Sequence, residues 1–242
     1  MCPLHSRAAL AGILLALALP LSAAAQSDPR EPTILPEAEQ PAWNAIGRVN
    51  IAGLRRRGMC TGTLVAPDLV LTAAHCLYRG DGKVARPEDV HFVAGWRAGA
   101  YAAHRSGAAV RIGAGFALGA LPSAETIAAD VGFIVLQEPI TDEKVQSLPL
   151  SPLPEEAVSL ALLGYRMDRP HALSRQTACG VGYRTAALIG LDCPVSPGAS
   201  GAPVLWLSPA GWQVVAIISA STAESSPVSA LAPLVAGRTQ PQ

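Results

Sequence analysis

From Ile46 to Ser219 the chain is a succession of short β-type runs broken by Gly, Pro and Asp. The first set comprises Ile46 to Ile51, Cys60 to Val65, Leu69 to Ala73, Val90 to Gly95, Ala109 to Phe116, and Val131 to Leu136. A proline-rich, charged stretch from Pro139 to Pro154 interrupts them and reads as a connector. The runs then resume as Val158 to Leu163, Thr177 to Gly182, Ala186 to Leu191, Ala202 to Leu207, and Trp212 to Ser219. No long amphipathic helix separates members of either set, so the fold class is all-β, with two barrels or sandwiches side by side. The C-terminal pattern leaves room for one short helix over Ser229 to Val235.

At 242 residues, half of them apolar, the chain can bury a core without a metal or cofactor, and nothing in it calls for either. It carries 18 basic and 18 acidic residues and no extended basic block, which argues against a nucleic-acid partner. Arg55-Arg56-Arg57, between Gly53 and Gly58, reads as a solvated hairpin tip.

Residues 1–25 read as a secretory signal: Arg7 is the positive n-region, Ala8 to Leu21 the apolar stretch, and Ala23-Ala24-Ala25 the small-residue cleavage site. The apolar run ends near Pro20 and is shorter than the roughly 20 residues a spanning helix needs, so no membrane anchor is expected after cleavage. The expected location is outside the cytoplasm, periplasmic or secreted. Residues 26–42, rich in Pro, Glu and Ala, read as a leader or pro-segment along the surface. The remaining expected divisions are a first unit over 43–140, the connector over 141–156, and a second unit with the tail over 157–242. Oligomeric state is left open.

An exported chain that retains Cys60, Cys76, Cys179 and Cys193 suggests two disulfides. Of the three pairings that four cysteines allow, the local one, Cys60 with Cys76 and Cys179 with Cys193, is preferred. Each bridge would close a short loop, worth roughly 3 kcal/mol in the chain-entropy model. Zinc is disfavoured, since no CxxC pair, HExxH or histidine cluster occurs.

Three stretches can carry chemistry. Thr72-Ala73-Ala74-His75-Cys76 closes an apolar strand with a histidine. Asp130 stands at the mouth of the apolar run Val131 to Leu136, where a buried carboxylate needs a hydrogen-bond donor such as an imidazole N–H. In Pro197-Gly198-Ala199-Ser200-Gly201-Ala202-Pro203, glycines around a serine make a tight turn that exposes the hydroxyl and points the Gly198 and Ser200 amides at one spot, the geometry of an oxyanion hole. His91, His104 and His171 have no comparable setting and read as structural or solvated.

These stretches resemble the trypsin/chymotrypsin-like serine proteases over Trp43 to about Ser221. Cys60-Thr61-Gly62-Thr63-Leu64-Val65 with Leu69 to Cys76 is similar to the family's histidine motif, Asp130 to Ile134 to its aspartate motif, and Gly198 to Pro203 to its serine motif. The resemblance implies two six-stranded antiparallel Greek-key β-barrels, a His75, Asp130 and Ser200 triad in the cleft between them, and protein or peptide substrates cleaved through an acyl-enzyme. It implies Gly198 and Ser200 amides as the oxyanion hole. An α/β-hydrolase is excluded, because no histidine follows Ser200 and Ala202 takes the last glycine position of that fold's elbow. A catalytically silent binding or adhesion protein on the same fold is the alternative function.

Two departures are informative. Ala199 stands where the animal digestive members carry an aspartate that pairs with the amino terminus freed from the zymogen, so that ion pair is missing. Pro197 to Pro203 and the leader look closer to the bacterial branch that includes glutamyl endopeptidases. There a histidine on the last strand helps recognise an acidic side chain, but Ile218 occupies its place, beside Ser219, and Pro194 and Val195 offer no aspartate to a basic one. A neutral pocket formed around Pro194, Val195, Ile218 and Ser219, taking apolar or small residues, is the expectation.

Overall fold

The computed structural model describes residues 28–52, 58–223 and 226–237. The expected signal over 1–25 and the Arg55 to Arg57 cluster lie outside the described residues. Fourteen strands are described: β1 (Thr33–Ile34), β2 (Ile46–Ile51), β3 (Met59–Ala66), β4 (Leu69–Thr72), β5 (Val90–Ala94), β6 (Ala103–Ile112), β7 (Gly132–Leu136), β8 (Ser159–Arg166), β9 (Arg169–Arg184), β10 (Leu188–Leu191), β11 (Pro203–Ser208), β12 (Gly211–Ile217), β13 (Ala220–Ser221) and β14 (Ala230–Pro233). One short helix, α1 (Ala124–Ala128), opens on a reciprocal cap between Ser123 and Thr126.

Six of these strands close into an antiparallel barrel in the order β2-β3-β4-β7-β6-β5, leaving no free edge. The period of two is plain in β5, where Val90, Phe92 and Ala94 point into the barrel core while His91 and Val93 face outward. The second sheet runs β12-β11-β8-β9-β10-β14-β13, with β1 added to β9. It curls: Ala216 pairs with Leu234, and the Val235 N–H donates to the Val215 carbonyl at 3.1 Å, so the chain leaving β14 meets β12. The result is a closed barrel beside a curled half-barrel, the all-β double arrangement that the sequence implied.

The helix expected over Ser229 to Val235 is instead β14, paired with β10 from Leu188↔Pro233 to Leu191↔Ala230. Pro233 denies a helix its N–H and disfavours helical backbone at Ala232, while Ala230 and Ala232 bury on one side and Leu231 faces the other. β9 spans 16 residues, far beyond Thr177 to Gly182, because its first half, Arg169 to Gln176, is too polar to read as a strand. That half accepts β1, with Thr33 opposite Arg175 and Ile34 opposite Ser174. Residues 33–43 are thereby built into the body, with Leu35 and Trp43 buried.

One hydrophobic cluster joins the two sheets. Ile46, Met59, Leu71 and Ala73 from the barrel meet Leu163, Tyr165, Leu205 and Ile217 from the second sheet, and Leu148 and Leu150 of the connector pack against them. Burying each such large side chain is worth roughly 1.5 to 3 kcal/mol, so the two sheets are held to each other by core, not by a linker.

Candidate active site

β4 ends in a tight 3-10 turn, Ala74–Leu77, that carries His75. Cys76 in that turn is bonded to Cys60 on β3, so the histidine backbone is tied covalently to the neighbouring strand. Cys179 on β9 is likewise bonded to Cys193, so both expected pairings occur. Asp130 follows α1 and precedes β7, which pairs with β4 from Leu69↔Val135 to Thr72↔Gly132. That register brings its carboxylate beneath the histidine turn. The His75 N–H donates to Asp130 Oδ1 at 2.9 Å, and His75 Nδ1 lies 2.7 Å from Asp130 Oδ2. Ser219, named above for the substrate pocket, donates its Oγ–H to Asp130 Oδ2 at 2.5 Å from the other sheet. Asp130 is only 4% exposed, and these three contacts offset the cost of burying it.

Ser200 lies in the loop entering β11, and it shares a cleft of about 830 Å³ with His75, Gly198, Pro197 and the Cys60 and Cys76 bridge. The loop is fixed through its carbonyls. Pro197 C=O accepts from the Met167 N–H at 2.8 Å, and Ala199 C=O from the Ala202 N–H at 2.8 Å. In a trans peptide the N–H points away from the C=O, so the Gly198 and Ser200 amides face away from those two donors. Among the described residues neither amide donates to a protein acceptor. Gly198, with φ of +97°, makes the left-handed turn this requires. At Gly201, φ +78°, a Cβ would stand 2.3 Å from both Thr61 O and Thr72 Oγ1, so only glycine lets the serine loop dock on the barrel.

A trypsin-like peptidase domain matches residues 60–217, well over half of the chain. The chain belongs to the trypsin-like peptidase family. As a member it is a serine endopeptidase acting on proteins or peptides. No curated protein matches its sequence. Among solved structures, a Glu endopeptidase in complex with MPD is similar at 17% identity and a TM-score of 0.69, over 86% of this chain and 92% of that one. The protease Anisep from Arthrobacter nicotinovorans follows at 20% identity and 0.62, over 79% and 90%. A thermostable serine protease, AL20, from an extremophilic microorganism matches at 19% and 0.60, over 80% and 92%. These likenesses are of fold.

In this trypsin-like peptidase Pro194, Val195, Ile218 and Ser219 do not line the cleft that holds His75 and Ser200. Pro194 and Val195 border a gap of about 10 Å³ with Gln176 and Ala199. Ile218 is buried in the second core and its carbonyl accepts from the Gly201 N–H at 2.7 Å. Cleft walls that the sequence did not single out include the apolar Met59, Met167 and Tyr78 and the charged Arg79, Arg86 and Asp89. Two methionines from different sheets give no sequence signal, since each sits alone among polar or turn residues. Cys60, His75 and Cys76 come within 4.8 Å of one another, but the two sulfurs are bonded together and offer no thiolate to a metal.

In the sequence Thr61 is one position of the run Cys60 to Val65. It is fully buried, its Oγ–H donates to Gly198 C=O at 2.9 Å, and the same oxygen accepts the Tyr165 N–H at 2.9 Å. Its own N–H donates to Ser200 C=O at 2.8 Å, and its C=O accepts the Thr72 hydroxyl at 2.8 Å. A hydroxyl inside an apolar strand next to the bridging cysteine was the only available signal.

Proposed function

We propose that the chain is an exported endopeptidase that hydrolyses peptide bonds through His75, Asp130 and Ser200 and an acyl-enzyme intermediate. The observation that carries this reading is His75, doubly bonded to the buried Asp130 and facing the same cleft as Ser200. Asp130 already receives the His75 and Ser219 donors as an acceptor, so the imidazole hydrogen belongs on Nδ1 and Nε2 is left as the base. Ser200 Oγ attacks the carbonyl carbon as Nε2 takes its proton, and the oxygen that becomes negative is met by the Gly198 and Ser200 amides. Each such donor is typically worth about 3 to 4 kcal/mol of barrier. The C–N bond then breaks as His75 passes the proton to the leaving amine, and water repeats the sequence on the serine ester.

His75 and Asp130 come from the unit over 43–140 and Ser200 from that over 157–242. After signal cleavage residues 33–43 stay with the mature enzyme, a reading supported by the pairing of β1 with β9 and the burial of Leu35. Export is supported by the two disulfides, which persist in oxidising compartments; among the described residues no helix is long and apolar enough to cross a membrane. A preference for cleavage after neutral residues is supported by Met59, whose methyl adjoins Gly198 in the cleft wall, and not by Pro194, Val195, Ile218 or Ser219, which lie off that cleft.

The test is turnover of a fluorogenic peptide library by the purified chain from Gln26 onward. The wild type cleaves after apolar or small residues, and Ser200→Ala loses roughly 10⁵-fold or more. Equal activity in the two proteins contradicts the assigned nucleophile. No turnover by either points to the silent binding protein, and cleavage mainly after acidic or basic residues rejects the neutral pocket.

A further inference from the structure

Four successive carbonyls of the serine loop, from Pro197 to Ser200, each accept a hydrogen bond. Met167 and Ala202 hold the first and third with backbone amides; Thr61 holds the other two, Gly198 with its hydroxyl and Ser200 with its amide. Thr61 is thus the only side chain among the donors. It is also the only donor that belongs to the barrel carrying His75, one residue from the Cys60 and Cys76 bridge.

Ala199 is buried in the second core and has no charge to anchor the loop, so hydrogen bonds order it: these four and that of the Gly201 N–H to the Ile218 carbonyl. The Thr61 hydroxyl is used twice. It accepts the Tyr165 N–H on β8, two residues before the Met167 amide that holds Pro197. One oxygen thereby ties β3, β8 and the loop together at the point where the Gly198 and Ser200 amides must face the substrate. Swinging the Gly198 carbonyl away would break that bond and leave the Thr61 and Tyr165 groups unpaired in a dry interior.

We propose that Thr61 is a positioning residue for the oxyanion-binding amides, its hydroxyl and amide clamping the Gly198 and Ser200 carbonyls and so setting both amides in register with His75. The oxyanion site is then assembled by folding alone, without a charge supplied by a freed chain terminus. This rests on Ser200 being the nucleophile.

Thr61→Ala, Thr61→Val and Thr61→Ser are compared with wild type for kcat, KM, thermal midpoint and affinity for a peptide aldehyde, whose hemiacetal oxygen mimics the tetrahedral oxyanion. Among variants that fold with wild-type circular dichroism, Ala or Val should lower kcat roughly 30- to 100-fold, with KM within about twofold and aldehyde affinity reduced by the same factor as kcat. Thr61→Ser should return kcat to within about threefold of wild type. A purely structural threonine would lower the thermal midpoint and leave kcat and aldehyde affinity per folded molecule unchanged, which overturns the proposal. So does a loss confined to KM, a failure of serine to rescue, or the failure of both Ala and Val to fold. If Ser200→Ala retains wild-type turnover, the nucleophile reading itself has failed; if Ser200→Ala is inactive while Thr61→Ala matches wild type, only the role of Thr61 is rejected.

Discussion

In the closed barrel, His75 and Asp130 are fixed by a disulfide and by side-chain hydrogen bonds, whereas in the curled sheet Ser200 rides on a loop fixed through its carbonyls and two left-handed glycines. The first region depends on which side chains are present. The second depends on backbone shape, for which glycine and a few hydrogen bonds suffice. Substitutions should therefore fail differently: at the His75 and Asp130 side chains chemistry is lost without loss of fold, and at the loop glycines fold and chemistry are lost together.

The largest expected effect is Asp130→Asn. Its amide can still accept from one partner but presents hydrogens to the other, favouring the wrong imidazole tautomer, and kcat should fall about 10⁴-fold while the melting transition stays cooperative. Retention of activity would break the comparison at its first term. Next is Gly201→Ala, which puts a Cβ 2.3 Å from Thr61 O at a positive φ. Strain and clash together should cost on the order of 3 kcal/mol of stability by chemical denaturation, and activity per folded molecule should fall with it.

The two disulfides sharpen the contrast because they close loops of nearly equal length, with separations of 16 and 14 residues. Replacing either pair by serine should cost about 3 kcal/mol, but only loss of the Cys60 and Cys76 bridge should reduce kcat of the folded protein, since Cys76 adjoins His75. Equal kcat losses for the two pairs would show that the bridge does not position the histidine. The smallest effect is Ser219→Ala, which removes one of three contacts to Asp130 and should cost roughly tenfold in kcat, a hydrogen bond to a charged group being worth about 1.5 to 3 kcal/mol.

The sequence made the candidate site legible where a residue type and its neighbours are both demanding. His75 beside a bridging cysteine, Asp130 before an apolar run, and Ser200 among glycines each stand out by residue type and setting, and most apolar strands announced themselves as short β-type runs between Gly, Pro and Asp. It was silent where the structure overrides local pattern. The polar half of β9 is a strand only because β1 and β8 cover it, and β14 is a strand because β10 offers a partner, although Ala and Leu are good helix formers. Thr61 was invisible because its importance lies in partners 104 and 137 residues away. The cleft walls contributed by Met59 and Met167 were hidden for the same reason.

The most direct test of the triad is the intact mass of the mature protein after treatment with a fluorophosphonate probe, run beside Ser200→Ala and Asp130→Asn. The account predicts one adduct on the wild type, located at Ser200, none on Ser200→Ala, and greatly slowed labelling of Asp130→Asn. An unlabelled wild type that is folded and disulfide-bonded, or an adduct that persists in Ser200→Ala, would contradict it.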